Sequence, residues 1–223
     1  MMQKTILHFP NIQLQERDGH KLRGYFAGLF GGESDLFHNH TNDGRFRYRY
    51  PRIQYKVVNG QPMLLGIAEG ASLLSERFLR IKTLQIDDQH YTLEEKNLDS
   101  SAFETGVRSE WFYYQFISPW LGLNQQNYRR FKKLDQAAAQ QDLESRILPG
   151  QILRFFTGVG HFEPERVKTN ILAIHTVTVQ LKNQPMLGFR GRFRSNALLP
   201  DYIGLGKSVS RGFGTIVRLN PPI

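Results

Sequence analysis

Along the first half of the chain the apolar positions change period from two to about 3.6 and back, twice over. Residues 5–13 alternate as a half-buried strand does. Over 17–30 the spacing lengthens, and Leu22, Tyr25, Phe26, Leu29 and Phe30 fall at helical intervals before Gly31 and Gly32 end the run. A polar stretch follows; then 45–58 alternates as a strand, Asn59-Gly60-Gln61-Pro62 turns the chain, and 63–67 returns. A short amphipathic helix over 71–80 and a strand over 83–93 complete the order β-α-β-β-α-β, that of a ferredoxin-like domain.

The second half repeats the plan, with strands predicted over 111–117, 171–181, 186–193 and 208–219 and a helical region over 125–145. An internal echo supports the repetition: Gln61-Pro62-Met63-Leu64 and Gln184-Pro185-Met186-Leu187 stand at the turn and start of the third strand of each half. The expected fold class is α+β, with two tandem ferredoxin-like (RRM-like) domains. One covers 1–100 and the other 108–223, with a boundary near 98–108. A chain of 223 residues suffices for two compact cores.

Composition narrows the chemistry. No apolar run reaches the roughly 18 residues of a membrane span, and the N-terminal stretch lacks a signal-peptide layout. A cytoplasmic protein without a membrane partner is expected. With 0 cysteines there are no disulfides, no thiolate nucleophile and no cysteine-bound metal. Lysine and arginine number 29 against 20 acids, a net +9, and the excess is concentrated. Residues 44–56 hold Arg45, Arg47, Arg49, Arg52 and Lys56 with no acid. Residues 182–223 hold Lys182, Arg190, Arg192, Arg194, Lys207, Arg211 and Arg218 against Asp201 alone. Charge gathered in patches suits a polyanion such as RNA, because each phosphate neutralised releases counterions.

The most specific motif is the run from Gly204 to Gly214, with glycines at Gly204, Gly206, Gly212 and Gly214 and with Lys207, Ser208 and Arg211 between them. Four glycines at that spacing permit positive φ and close approach to a phosphate, for which the other three supply donors. It is not a nucleotide-binding P-loop, since Asp201 stands where that pattern needs a glycine; nor is it a dinucleotide fingerprint, since Val209 occupies the third glycine's place. In Arg45-Phe46-Arg47-Tyr48-Arg49-Tyr50 period two sends arginines to one face and aromatics to the other, and Arg190, Arg192 and Arg194 repeat the pattern. RNA contact is expected at both sets of arginines; the helical cations Arg129, Arg130, Lys132 and Lys133 read as a solvated face.

A glycine-rich loop of this form near the C-terminus of a basic, tandem ferredoxin-like chain resembles the RAMP superfamily. The segment Gly31-Gly32-Glu33-Ser34-Asp35-Leu36-Phe37-His38-Asn39-His40 and the strand beyond it are similar to the paired-histidine segment of the sixth family of CRISPR-associated proteins, b subtype. The resemblance spans essentially the whole chain. It implies an endoribonuclease that cuts CRISPR precursor RNA within its repeats, without metal or other cofactor, to mature guide RNA with 2′,3′-cyclic phosphate and 5′-hydroxyl ends. The alternative it leaves open is a non-catalytic RAMP-type subunit that holds guide RNA. A homodimer and other CRISPR effector subunits are further partners it admits.

The residues themselves fit that chemistry. RNA self-cleavage needs a base for the 2′-hydroxyl proton, an acid for the departing 5′-oxygen and cations for the charged phosphorane. Histidine serves both proton roles near neutral pH, so His38 and His40 are the candidate pair, with the assignment of acid and base left open. Tyr48 and Tyr50 adjoin them, and the resemblance implies that one orients the ribose or stabilises the oxyanion. A metal site is the competitor, because Glu33, Asp35 and Asp43 crowd the same loop. The His-x-His-x-Asp-His pattern of metallo-hydrolases is broken, however, by Asn42 and Asp43. A two-histidine phosphoesterase needs two His-x-Ser/Thr motifs and only His90-Tyr91-Thr92 is present.

Overall fold

Leu22, Phe26 and Phe30, one helical turn apart, are all at most 1% exposed, and they seat helix α1 (Gly19–Phe30) on a sheet. Phe26 lies between Phe9 and Tyr55, with ring centroids 6.2 and 5.9 Å away. The computed structural model describes residues 1–37, 49–181 and 184–221. By its contacts the chain forms two units: Met1–Phe103 with Ser210–Gly212, and Glu104–Val209 with Phe213–Ile223.

The first unit runs β1 (Met2–His8), α1, β2 (Ile53–Val58), β3 (Gln61–Ile67), α2 (Glu69–Arg77), β4 (Thr83–Ile86), β5 (Gln89–Thr92) and β6 (Asn97–Phe103). Its main sheet has the order β2-β3-β1-β6, all pairs antiparallel, which is the ferredoxin-like arrangement. Two expectations change here. The span 83–93 is no fourth strand but a hairpin, β4 with β5, folded back at Asp87, whose φ of 52° is a turn conformation. The fourth strand is β6, which pairs with β1 along its whole length. The strand expected from residue 45 begins only at Ile53 within the described residues, since Pro51 cannot donate to a ladder. The helix start moves from Arg17 to Gly19 because Gln15 and Asp18 close a capping box around a 3-10 turn.

The second unit runs β7 (Gly106–Phe116), α3 (Gln125–Phe131), α4 (Gln136–Asp142), a π turn Leu143–Ile147 leading into α5 (Leu148–Gly158), then β8 (Thr169–Leu181), β9 (Gln184–Leu198) and β10 (Ile216–Leu219). The sheet order β10-β7-β9-β8 repeats that of the first unit. The helical region expected over 125–145 is broken in two by Asp135, whose carboxylate caps α4 at Ala138 N–H (2.8 Å). The principal buried helix, α5, lies beyond it and buries Leu148, Ile152, Phe155 and Phe156. Where a ferredoxin-like plan places its second helix, residues 199–215 hold no α-helix, only a 3-10 turn at Val209–Arg211. The glycine-rich segment takes that helix's place, and the strand expected over 208–219 is confined to its last four residues. Among the described residues no helix is long and apolar enough to cross a membrane.

Candidate functional site

His38, His40, Tyr48, Arg45 and Arg47 lie outside the described residues; what the structure shows is the ground on either side of them. On the N-terminal side, Phe37 is 1% exposed, with its ring 5.1 Å from that of Phe30. Its carbonyl accepts a buried hydrogen bond from the Tyr55 hydroxyl at 2.9 Å. Tyr55 comes from β2, at the far end of the segment, and burial pushes its phenol well above the ordinary tyrosine range. On the C-terminal side, Arg49 Nη2 meets Asp35 Oδ1 at 3.0 Å, so an ion pair ties the two flanks together. The Tyr50 hydroxyl accepts from Gln54 Nε2 at 3.1 Å, and Gln54 is fully buried.

Glu33 is held from α2 and the turn after it: Arg77 Nε at 2.9 Å, and Arg80 Nη1 and Nη2 at 2.8 and 2.7 Å. The bidentate Arg80 is the main reason the Glu33 carboxyl sits below the usual carboxylate range. Lys56, counted above among the patch cations, is 1% exposed, and burial brings its ammonium down to about 7. So buried, it presents little of its charge at the surface.

The four glycines of the 204–214 segment answer to packing. A Cβ on Gly204 would stand 2.6 Å from Val209 Cγ1, and one on Gly206 2.7 Å from the Leu121 carbonyl; on Gly214 it would collide with the Leu205 carbonyl. Gly206, Gly212 and Gly214 have φ of 97°, 90° and 65°. The backbone N–H groups of Leu205, Lys207 and Gly214 donate to Gly214, Leu121 and Pro119 carbonyls. What the segment offers a ligand is accordingly its side chains: exposed Lys207, and half-buried Ser208 and Arg211. The loop tip, Ser210–Gly212, belongs with the first unit, and a Cβ on Gly19 would meet the Arg211 carbonyl at 2.5 Å. Burial first, and then the charge of Arg23 on α1, lower the Arg211 guanidinium. Arg23 was not singled out by sequence, where it is one lone cation on a helix face.

On β9, Arg190 donates to the Ile117 carbonyl (3.0 Å), Arg192 is exposed, and the Arg194 guanidinium lies over the Trp111 ring, 4.8 Å from its centroid. Phe189 and Phe193 of the same strand are 1% exposed, so the predicted alternation of arginines and aromatics holds there.

Two ferredoxin-like units, the second with a glycine-rich segment where its last helix would stand, define a RAMP-type protein. The chain belongs to the Cas6b family: the Cas6b N-terminal domain matches residues 1–104 and the Cas6b C-terminal domain residues 106–219. The family is one of CRISPR RNA processing endoribonucleases. A solved structure described as Cas6b has 37% identity and TM-score 0.92, covering 98% of this chain and 99% of its own. A second, described as the CRISPR RNA processing endoribonuclease Cas6b, has 33% identity and TM-score 0.78 over 98% of this chain and 99% of its own. An uncharacterized protein of Methanocaldococcus jannaschii, MJ0978, is 33% identical over 146 residues, 66% of this chain and 99% of that one.

Proposed function

We propose that this chain cleaves CRISPR precursor RNA within its repeats without a metal, by attack of a ribose 2′-hydroxyl on the adjacent phosphate, with His38 and His40 as the general acid and base. The observation that carries the reading is the anchoring of the histidine segment: Tyr55 fixes the carbonyl immediately before His38, and the Asp35–Arg49 pair joins the flanks. Proton transfer in the transition state requires its groups to be held in place, and the anchored residues Phe37 and Arg49 bound the segment that carries them. Of the three carboxylates that a metal would draw on in this region, Glu33 and Asp35 are engaged by arginines, and Asp43 lies outside the described residues. Arg192, Arg194, Lys207 and Arg211, with Arg45 and Arg47, hold the RNA through its phosphates. Ser208 adds a hydroxyl donor, and Gly204, Gly206, Gly212 and Gly214 shape the segment that presents it. Tyr48 or Tyr50 orients the ribose or stabilises the oxyanion.

Repeat RNA incubated with the protein in excess chelator is expected to be cut, leaving 2′,3′-cyclic phosphate and 5′-hydroxyl ends. Cleavage that appears only on adding a divalent ion, or products with 5′-phosphate, would contradict the mechanism.

The anchor has its own consequence. Tyr55→Phe removes only the hydroxyl that holds Phe37, and single-turnover cleavage is expected to slow about tenfold with RNA affinity unchanged, as a misplaced proton-transfer group dictates. Tyr114→Phe is the control, since Tyr114 is an equally buried tyrosine whose hydroxyl bonds the Ala197 carbonyl at 2.9 Å in the second unit. Equal rate losses in the two variants would assign the effect to general loosening of the fold.

A further inference from the structure

The second unit's sheet has one face closed by its core and one that is not. On β7, Phe112, Tyr114 and Phe116 are 3%, 0% and 4% exposed, while Trp111, Tyr113 and Gln115 point the other way. Across the ladder, Tyr113 pairs with Arg194 and Gln115 with Arg192. The rows extend to Leu219 and Val217 on β10 and to Asn170 and Ala173 on β8, so neither row contains an acidic residue. Trp111 sits in the irregularity between Val107 and Phe112, where the register shifts, and such bulges re-aim a side chain. It is 37% exposed, whereas the chain's other tryptophan, Trp120, is 0% exposed and donates its N–H to Gln151 at 2.6 Å.

A large exposed aromatic beside unneutralised cations invites a ligand that brings both a flat apolar surface and negative charge. Trp111 supplies the ring, and the Arg194 guanidinium carbon stands over it, 4.8 Å from its centroid, adding a cation to the aromatic surface. Arg192, next along the strand, is exposed and in no ion pair among the described residues. Single-stranded RNA has the matching chemistry, since its unpaired bases expose their faces while its phosphates lie alongside. An acidic peptide would satisfy the arginines and leave the indole without a partner. A duplex would satisfy the arginines and keep its bases out of reach.

We infer that Trp111, backed by Arg194 and flanked by Tyr113 and Arg192, is a stacking site for an unpaired base of the RNA this protein handles. The inference rests on the RNA-processing reading and adds to it a requirement: part of the bound RNA is single-stranded where it crosses this sheet.

Tryptophan fluorescence reads the site directly, because Trp120 is buried. Titrating wild type with a short single-stranded RNA of mixed sequence is expected to quench the emission, and Trp111→Phe should bind within a few-fold of wild type with the quench gone. Trp111→Ala should lose about 5- to 150-fold in affinity, the range for one base–aromatic stack. The same sequence as a duplex should leave the emission unchanged. RNA bound equally well by Trp111→Ala, or a duplex that quenches as strongly as the single strand, overturns the stacking site while leaving the RNA reading intact. Failure of wild type to bind any RNA overturns both.

Discussion

Alanine at either His38 or His40 is expected to slow single-turnover cleavage of repeat RNA by about 10²- to 10⁴-fold, the usual loss for a proton-transfer partner. Binding should stay within a few-fold, because the hold on the phosphates is assigned to the arginines and lysines. The split between rate and affinity is the informative part. A histidine that merely gripped the RNA would change both together, whereas one that acts only in the transition state lowers the rate alone. The double variant should be little slower than the worse single one, since an acid without its base loses most of its use. Measuring dissociation constants and single-turnover rates on one repeat RNA decides the matter.

Binding to RNA is expected to weaken about 300-fold between 50 and 200 mM monovalent salt. Of the eight arginines and lysines assigned to RNA, Arg49 is committed to Asp35 and Arg190 to the Ile117 carbonyl. The six that remain are Arg45, Arg47, Arg192, Arg194, Lys207 and Arg211. Six phosphate contacts on a single strand give a slope of about −4 in a log–log plot, at roughly −0.7 per contact. Arg192→Ala and Lys207→Ala should each flatten that slope by about 0.7, while Arg190→Ala leaves it unchanged. A salt-independent affinity would mean that the basic stretches do not meet the phosphates.

Some of this was legible in the residues and some was not, for physical reasons. Helix α1 announced itself because Leu22, Phe26 and Phe30 form one apolar stripe and all three reach the core. Strand β6 did not: from Asn97 to Ala102 every residue is exposed and only Phe103 is buried, so no alternation marks it. Its place follows from pairing with β1, a long-range fact that a local pattern does not carry. The two acids Asp87 and Asp88 could have signalled the hairpin, but Leu84, Ile86 and Tyr91 read more loudly as one strand. The glycine-rich segment reads as a loop, yet its glycines answer to Val209 and Leu205 across its own turns and to Leu121, which only the fold brings near. Trp111 passed as one more apolar residue of a strand: alternation with Phe112, Tyr114 and Phe116 sets it on the opposite face, but the pairing that brings Arg192 and Arg194 to that face is a long-range fact.

Everything in the mechanism depends on the substrate supplying its own nucleophile. The most direct measurement compares a repeat RNA with the same strand carrying a single 2′-deoxy nucleotide immediately 5′ of the cleaved phosphate. The deoxy strand should bind as tightly as the RNA and stay whole through incubations that consume the RNA completely. Should it be cut at the RNA's rate, an external nucleophile is at work and the roles given to His38 and His40 are wrong.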